Sequence, residues 1–287
     1  MKRLLYIIIG LVASLASHAA GSAEVKALPQ DSVTICRLLG EARKLPSSTC
    51  LPLYFAQKFV GIPYVAHTLE GDKRERLVIN TRQLDCTTLV ETVTALTLCA
   101  QRKVYSWFAY QHALVDLRYR GGVIDGYPSR LHYFTEWITD NTRAGVVSEL
   151  QSPNPPFSAV QNVKVNFMST HPQSYQALRE HPEFVSAIAK MERQVSGAKY
   201  RYIPKKSVGN HKLLRKVIRD GDIIAITCNK AGLDIAHLGF ALWRKDGLHL
   251  LNASQLHHKV VVEPMTLYQY LQKHPSHTGI RIIRITK

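Results

Sequence analysis

A cysteine that directly precedes a helical pattern is the residue in this sequence best suited to covalent chemistry. Cys86 lies in the run Leu-Asp-Cys-Thr-Thr-Leu-Val-Glu at residues 84–91. Apolar residues recur at helical spacing after it, and Asp85 is of a type that caps helix N-termini. The apolar set is Leu89, Val90, Val93, Leu96 and Ala100. The pattern predicts a helix with Cys86 in its first turn.

The first turn of a helix favours a cysteine nucleophile for two reasons. Its backbone N–H groups lack partners within the helix and the helix dipole is positive there, so both stabilise a thiolate. The same N–H groups can hold the oxyanion that forms when a carbonyl is attacked. Cys86 is therefore a candidate nucleophile for acyl transfer. A buried structural cysteine or half of a disulfide is the alternative.

A histidine far downstream is the candidate base. His237 lies in the strand-like run Ala-His-Leu-Gly-Phe-Ala-Leu-Trp at residues 236–243. Leu238, Phe240 and Leu242 alternate with His237, so we expect them to form a core face and the histidine to lie on the other. His237 follows Cys86 by 151 residues, which is close to the interval in papain-like proteases. A structural histidine is the alternative.

The next strand offers a residue that could orient the imidazole. Asn252 follows a turn near residues 244–247. A turn centred between Arg244 and Lys245 would set His237 and Asn252 directly opposite each other, with both side chains on one face. A turn centred on Asp246 and Gly247 would move them four residues out of register. In the first register Asn252 could accept a hydrogen bond from the imidazole, as in the Cys-His-Asn variant of the catalytic triad.

Residues 118–137 combine glycines, arginines and aromatic residues without a clean period. This composition predicts a loop that contacts substrate, with arginine for an acidic group and tyrosine or tryptophan for a sugar or peptide. Arg130 and Tyr133 are the candidate contacts. An ordinary surface loop in which Arg130 pairs with Glu136 or Asp140 is the alternative.

The N-terminus predicts export of the protein. Lys2 and Arg3 precede an apolar run at residues 4–16, and small residues follow with cleavage expected after Ala19, Ala20 or Ala23. Residues 1–23 are therefore expected to be a signal peptide, and residues 24–287 a single domain that is periplasmic or secreted. The run is too short to span a bilayer, and no later stretch predicts a transmembrane segment.

The chain is basic, with a formal net charge of +16. Export and the lack of a compact Lys/Arg-rich segment argue against nucleic acid as a partner. An anionic extracellular polymer or its fragments fits the charge better, although the charge could also serve only solubility.

Cysteine and histidine usage predicts neither a metal nor a cofactor. Five cysteines are present, so at least one is unpaired in an exported protein. Cys36 and Cys50 could form a local disulfide, and Cys86 is expected to be free. The thirteen histidines form no metal-binding motif, and no glycine-rich phosphate loop is present.

The order of predicted elements indicates an α+β fold. Helical patterns occupy residues 24–60, 86–117 and 172–191, whereas short runs of β-forming residues follow residue 221. The predicted strands are residues 223–227, 236–243, 248–253, 260–262 and 280–285, with a short helix at residues 265–273.

Five ordered motifs resemble the N-acetylmuramoyl-L-alanine amidase-like family of the NlpC-type, papain-like cell-wall hydrolases. They are Gly-Ile-Pro-Tyr at residues 61–64, the Cys86 run, Asp-Gly-Tyr-Pro-Ser-Arg-Leu-His-Tyr at residues 125–133, Ala-His-Leu-Gly at residues 236–239 and Leu-Asn-Ala-Ser at residues 251–254. The resemblance implies a papain-like fold, with an N-terminal catalytic-cysteine helix packed on a C-terminal antiparallel sheet or barrel. It also implies that Cys86 is the nucleophile and His237 the base. The family more often has histidine where this chain has Asn252.

The resemblance implies cleavage of the amide between the muramic acid lactyl group and L-alanine, with anhydro-muropeptides among the substrates. Tyr64 matches the Pro-Tyr motif and would line the cleft, unless it only packs in a turn. Asp85 would bind substrate or serve only as the N-cap. The protein is expected to be a monomer, and its partner would be peptidoglycan or a muropeptide. The alternatives are a D-glutamyl stem-peptide endopeptidase and a non-catalytic cell-wall-binding protein on the same fold.

Overall fold

The computed structural model describes residues 24–71 and 74–286. The signal peptide predicted for residues 1–23 lies outside the described residues. Within the described ranges, no helix combines the length and the apolar character needed to cross a membrane.

Helices dominate the first half of the chain and recur between strands in the second. The α-helices are α1 (Pro29–Ala42), α2 (Leu51–Lys58), α3 (Cys86–Gln101), α4 (Trp107–Arg118), α5 (Phe134–Arg143), α6 (Phe167–Thr170), α7 (Gln176–Glu180), α8 (Phe184–Val195), α9 (His211–Leu214) and α10 (Leu267–Gln272). Short 3₁₀ turns occupy Arg120–Gly122, Tyr127–Ser129, Pro172–Ser174 and Lys205–Ser207.

The strands form one large antiparallel sheet and one small parallel pair. The strands are β1 (Val25–Lys26), β2 (Leu77–Val78), β3 (Val147–Leu150), β4 (Ala159–Asn162), β5 (Lys199–Pro204), β6 (Ile223–Cys228), β7 (Ile235–Arg244), β8 (Gly247–Ser254), β9 (Lys259–Val262) and β10 (His277–Ile285). The large sheet has the order β4-β5-β10-β6-β7-β8-β9, and β3 pairs with β10 outside this path. Its pairings are antiparallel, whereas β1 and β2 pair in parallel.

Helices packed on an antiparallel sheet agree with the predicted α+β class. The helix predicted after Asp85 is present as α3, and the late strands are present as β6 to β10. Strands β3, β4 and β5 were not predicted. They lie in a part of the chain with few apolar residues, and β4 alternates only half-buried and exposed positions, so its sequence has a weak strand pattern.

Helix α3 is the centre of the fold, because twelve of its consecutive residues from Leu89 to Ala100 are buried. It packs against α1, α2 and α4 on the helical side and against β7 and β8 on the sheet side. Leu238, Phe240, Leu251 and Ala253 belong to the same core as the α3 residues. The Leu238 and Phe240 face of β7 is therefore the core face, as the alternation predicts.

The opposite face of the sheet has a second core. Ile224, Ala241 and Leu250 lie in it together with Leu267 and Leu271 of α10. Burial of each of the isoleucine and leucine side chains in this set contributes about 1.5–3 kcal/mol. The sheet is thus covered on both faces, and β7 has buried neighbours above and below.

The hairpin of β7 and β8 has a register that neither sequence-based alternative predicted. Phe240 pairs with Leu251 and Arg244 with Gly247, so the turn consists of Lys245 and Asp246. Asn252 consequently lies diagonal to His237, with a two-residue offset rather than none or four. The pairing of β6 with β7 is also irregular at His237. Ile226 pairs with His237, but the next residue, Thr227, pairs with Ile235.

The predicted Cys36–Cys50 disulfide is wrong, because every cysteine is free. Cys36 is exposed on α1. The Cys50 thiol instead donates a hydrogen bond to the Asp220 carbonyl, with 3.3 Å between Sγ and O. Cys50 is therefore part of the contact between α2 and the chain entering β6.

Candidate active site

A capping box fixes the backbone at Cys86. The Asp85 carboxylate accepts a hydrogen bond from the Thr88 backbone N–H at 2.8 Å, and the Thr88 hydroxyl accepts one from the Asp85 N–H at 2.9 Å. These two bonds satisfy donors that a helix N-terminus leaves unpaired. Cys86 is the first residue of α3 and keeps part of its surface open. The helix start predicted from the sequence is therefore the local structure around the thiol.

The Cys86 sulfur lies against the strand that carries His237. The backbone N–H groups of Thr87 and Leu238 and the Thr87 side chain hydrogen-bond to the sulfur. Leu238 directly follows His237 in β7. The cysteine at the helix start and the downstream histidine are thus brought to the same place.

Burial raises the pKa of the Cys86 thiol to about 12, and the neighbouring Asp85 carboxylate adds to the shift. Hydrogen bonds from Thr87 and Leu238 oppose this change but do not outweigh it. The resting group is therefore a thiol at neutral pH. The helix start alone favours a thiolate, whereas burial of this thiol acts in the opposite direction and its pKa is raised.

His237 has a defined tautomer. Its Nε2 lies 2.9 Å from the Asn252 Oδ1. The Asn252 amide group donates through Nδ2 to the Leu250 carbonyl at 3.3 Å, which orients Oδ1 towards the imidazole. Because an amide oxygen only accepts, Nε2 must carry the hydrogen. Nδ1 is then the basic nitrogen and is free to receive a proton.

Burial lowers the pKa of His237, and its electrostatic interaction with the nearby His274 lowers it further. The hydrogen bond to Asn252 and the carboxylates of Asp85 and Glu263 oppose this shift. The imidazole is therefore neutral at pH 7, which is the form that can act as a base.

The diagonal contact between His237 and Asn252 depends on a glycine. Diagonal residues in adjacent strands are about 7–8 Å apart, within reach of a long side chain. In this register Asn252 lies across from Gly239. A Cβ at Gly239 would lie 2.7 Å from the Leu251 carbonyl oxygen and 2.8 Å from Leu250 Cδ1. Gly239 thus permits the close approach of β8 on which the contact depends.

Tyr64 lies beside the helix start. It forms an isolated parallel bridge with Leu84, directly before Asp85. Burial raises the pKa of Tyr64 to about 12, and Cys86 and Asp85 contribute to that shift. The structure therefore brings together Tyr64, Asp85, Cys86 and His237, with Asn252 behind the histidine.

Tyr270 on α10 is a neighbour of this cluster that the sequence did not reveal. Its ring centroid lies 6.4 Å from that of His237. Burial raises the pKa of Tyr270 to about 12, and Glu263 and Cys86 add to the shift. Its ring also lies 4.4 Å from His274. Position 270 falls within the predicted helix, but no local signal indicates that this helix lies beside a residue of β7.

Arg130 and Tyr133 lie outside the Cys86 cluster. Two hydrogen bonds of 3.0 and 2.8 Å join the Arg130 guanidinium to Glu75, and a third of 3.0 Å joins it to Glu70. Tyr133 donates to Glu192 at 2.7 Å and belongs to a separate small core. Both polar groups are engaged within the chain, so their contact with substrate stays a prediction. The partners predicted for an internal role are wrong, because Arg120 pairs with Glu136 and Arg143 with Asp140.

We expect Arg130→Ala to lower the free energy of unfolding by about 3–5 kcal/mol, because it leaves Glu70 and Glu75 without their counter-charge in a buried site. Denaturant unfolding measures this value. Arg143→Ala is the matched control, since the Arg143 side chain is 75% exposed and its loss should change stability by less than about 1 kcal/mol. Equal effects of the two substitutions would contradict the internal role. Unchanged kinetics on a muropeptide below the melting temperature would reject substrate binding by Arg130.

Among the described residues, no group of three or more histidine, cysteine, aspartate or glutamate side chains is arranged to hold a metal ion. A half-buried thiol, a neutral imidazole with Nδ1 free, and N–H groups at a helix start are the components of nucleophilic acyl transfer.

The fold and this cluster define an amidase-like hydrolase, and the chain belongs to the AmiA-like family, described as N-acetylmuramoyl-L-alanine amidase-like, whose model matches residues 54–280. Two crystal structures of an N-acetylmuramoyl-L-alanine amidase from Bacteroides uniformis are each 41% identical to this chain, with TM-scores of 0.77 and 0.78. Each alignment covers 86% of this chain and 100% of the other.

Two further structures share the fold. A Bacteroides fragilis protein with the provisional name xylanase is 41% identical over 81% of this chain and 100% of its own, with a TM-score of 0.76. A Legionella pneumophila protein is 22% identical over 90% of this chain and 95% of its own, with a TM-score of 0.72, which supports the fold alone. No curated protein sequence matches this chain.

Proposed function

We propose that this protein is a cysteine amidase that hydrolyses the amide between the lactyl group of muramic acid and L-alanine in peptidoglycan fragments. Anhydro-muramic acid forms are among the proposed substrates. The observation that carries the proposal is the His237 Nε2 to Asn252 Oδ1 hydrogen bond of 2.9 Å, in a strand whose next amide contacts the Cys86 sulfur. Membership of the amidase-like family supplies the substrate class.

Cys86 would attack the lactyl carbonyl while His237 Nδ1 takes the thiol proton. The C–N bond then breaks, and the imidazolium returns the proton to the departing L-alanine amine. Water, activated by the same nitrogen, hydrolyses the thioester and restores the thiol. A neutral thiol and a neutral imidazole at rest mean that proton transfer accompanies attack rather than precedes it.

The backbone N–H groups at the start of α3 would hold the oxyanion of the tetrahedral intermediate. Tyr64 would line the cleft, and Asp85 would contact substrate with the carboxylate oxygen that does not cap the helix. The arrangement of a helix-start cysteine against a strand histidine supports a papain-like, NlpC-type site. The protein would act as an exported monomer, with residues 1–23 as its signal peptide and residues 24–287 as one amidase domain.

We expect Asn252→Ala to lower kcat/KM about 10–100-fold, the cost of losing one hydrogen bond that holds a tautomer. Asn252→His should keep much of the activity, because a histidine can also accept from Nε2–H. Asn162→Ala is the matched control, since that amide lies on the exposed edge strand β4. Steady-state kinetics on a muropeptide measure the effect. An unchanged kcat/KM in Asn252→Ala would assign the orienting role to another group.

Digestion of a defined disaccharide-peptide tests the bond that is cleaved. Mass spectrometry should detect a free peptide that begins with L-alanine and a sugar that ends in a lactyl carboxylate. A sugar that keeps L-alanine and D-glutamate would show an endopeptidase instead. Binding without any cleavage would show a non-catalytic cell-wall-binding protein.

A further inference from the structure

A second feature of the fold lies at the far end of the β7–β8 hairpin from His237. Residues 211–219 and the hairpin turn converge there. The Arg215 guanidinium donates to the Arg244 carbonyl at 3.3 Å and lies 4.2 Å from the centroid of the Trp243 ring. A Cβ at Gly247 would lie 2.5 Å from the His211 ring, so the turn packs directly on α9.

This convergence creates a surface that we call the basic face. It consists of six exposed cationic side chains: Lys212, Arg215, Lys216, Arg219, Arg244 and Lys245. Four of the six lie within residues 212–219, and the fold adds the other two from the hairpin turn. Within the described ranges, none of the six forms an ion pair with a carboxylate.

The two exposed acids beside the basic face bond to other groups. Asp220 accepts from the Trp243 backbone N–H at 2.7 Å. Asp246 lies 3.0 Å from the His249 ring. The six cations therefore keep a strong positive potential with few internal partners. Such a potential attracts a partner with repeated negative charge.

The shape of the basic face favours a polymer over a lipid surface. None of the exposed large hydrophobic residues among the described residues belongs to it. Trp243 is half-buried, and its indole N–H donates to the Ile218 carbonyl at 3.0 Å. Proteins that lie on membranes usually insert apolar side chains below the headgroups, and this surface offers none. A shallow depression lined by Arg215, Trp243, Arg244, Lys245 and Asp246 suits an extended chain, and the Asp246 carboxylate there is engaged with His249.

The basic face is too far from the active site to contact a small fragment bound there. Arg244 lies seven residues beyond His237 on β7, which corresponds to about 23 Å at about 3.3 Å per residue. A four-residue stem peptide extends at most about 14 Å from the cleaved bond. A polymer can occupy both places at once, whereas a single muropeptide cannot.

We propose that the basic face is an exosite that binds the stem carboxylates of polymeric peptidoglycan while a neighbouring stem enters the active site. This inference rests on the proposed function for the identity of the polymer. The positive charge of the chain would then hold the protein on its substrate. Small fragments would be cleaved without its help.

Co-sedimentation with purified peptidoglycan, stripped of phosphate polymers, tests the exosite independently of catalysis. Cys86→Ala prevents digestion during the assay and serves as the parent protein. Adding Lys212→Gln, Lys216→Gln and Lys245→Gln should weaken binding about tenfold, because the loss of each of three exposed ionic contacts should weaken binding about twofold. Binding by the parent should also weaken in 1 M salt, where the Debye length is about 3 Å.

Lys190→Gln, Arg193→Gln and Lys199→Gln form the matched control, because they remove the same charge from exposed positions elsewhere. The control should bind as the parent does. Equal losses in the two triple variants, or parental binding by the exosite variant, would overturn the proposal. So would binding of the parent to anionic vesicles or DNA without binding to peptidoglycan.

With Cys86 intact, the exosite triple variant should hydrolyse a soluble muropeptide with unchanged kcat/KM. A fall on the small substrate would place these lysines in the catalytic cleft and contradict the proposal. If wild type cleaves no muropeptide yet the binding difference persists, the proposed function fails while the exosite stands.

Discussion

Cys86→Ala should lower kcat/KM on a muropeptide by about 10⁴-fold or more, since removal of a nucleophile leaves only binding and oxyanion stabilisation. Its sulfur accepts hydrogen bonds from Thr87 and Leu238, and the substitution removes a single atom from a residue that is only partly buried. The fold should therefore survive. Steady-state kinetics together with circular dichroism separate loss of chemistry from loss of structure.

Cys36→Ala is the matched control, because Cys36 is a free and exposed cysteine on α1. Its activity should equal that of the wild type. Near-normal turnover in a folded Cys86→Ala protein would refute the nucleophilic mechanism. A loss of activity in both variants would show that activity does not depend specifically on the position of Cys86.

His237→Ala should lower kcat/KM by about 10²–10⁴-fold, the usual contribution of a general base and acid. The lost group is the imidazole whose Nε2–H is held by Asn252 and whose Nδ1 receives the thiol proton in the proposed mechanism. Kinetics on the same muropeptide measure the effect. His112→Ala is the control, because His112 is an exposed residue of α4 that contacts only the exposed Phe108 ring among the aromatic residues described around it.

The pH dependence follows from the lowered pKa of His237. The neutral imidazole is the active form, so kcat/KM should fall as the pH drops through a value below the ordinary histidine pKa of about 6.5. Activity should stay level between about pH 7 and 9, because the thiol pKa is raised to about 12. A loss of activity between pH 7 and 9 would instead indicate that the active form is a thiolate and imidazolium pair.

Local features of this chain were predictable where the signal lies within one element. The helix after Cys86 follows from apolar spacing and an N-cap aspartate, and the core face of β7 follows from alternation. The capping box adds Thr88, which the sequence also contains three residues after Asp85. Each of these features is determined by residues that lie close together in the sequence.

Features that depend on distant contacts were not predictable. The register of β7 and β8 depends on a two-residue turn at Lys245 and Asp246, and the sequence offers several turn positions of similar quality. The pairing of Arg130 with Glu70 and Glu75 depends on an irregular segment with no periodic pattern. Tyr270 reaches His237 only because α10 packs on the sheet.

The Cys86 thiol shows how the fold can reverse a local expectation. The helix start alone favours a thiolate. Partial burial of Cys86, where α3 packs against β7, raises the pKa of the thiol instead. The residue type and its position were predictable, but the charge state depends on the surrounding burial, which only the folded structure defines.

Intact-protein mass spectrometry of a rapidly acid-quenched reaction is the most direct test of the central claim. On a defined disaccharide-peptide, we expect a covalent adduct whose added mass equals the sugar acyl group without the peptide. Peptide mapping should locate it at Cys86, and Cys86→Ala should give no adduct. An adduct with the mass of a stem-peptide acyl group would show an endopeptidase. Turnover without any adduct at Cys86, in both the wild type and the Asn252→Ala variant, would contradict covalent catalysis by this cysteine.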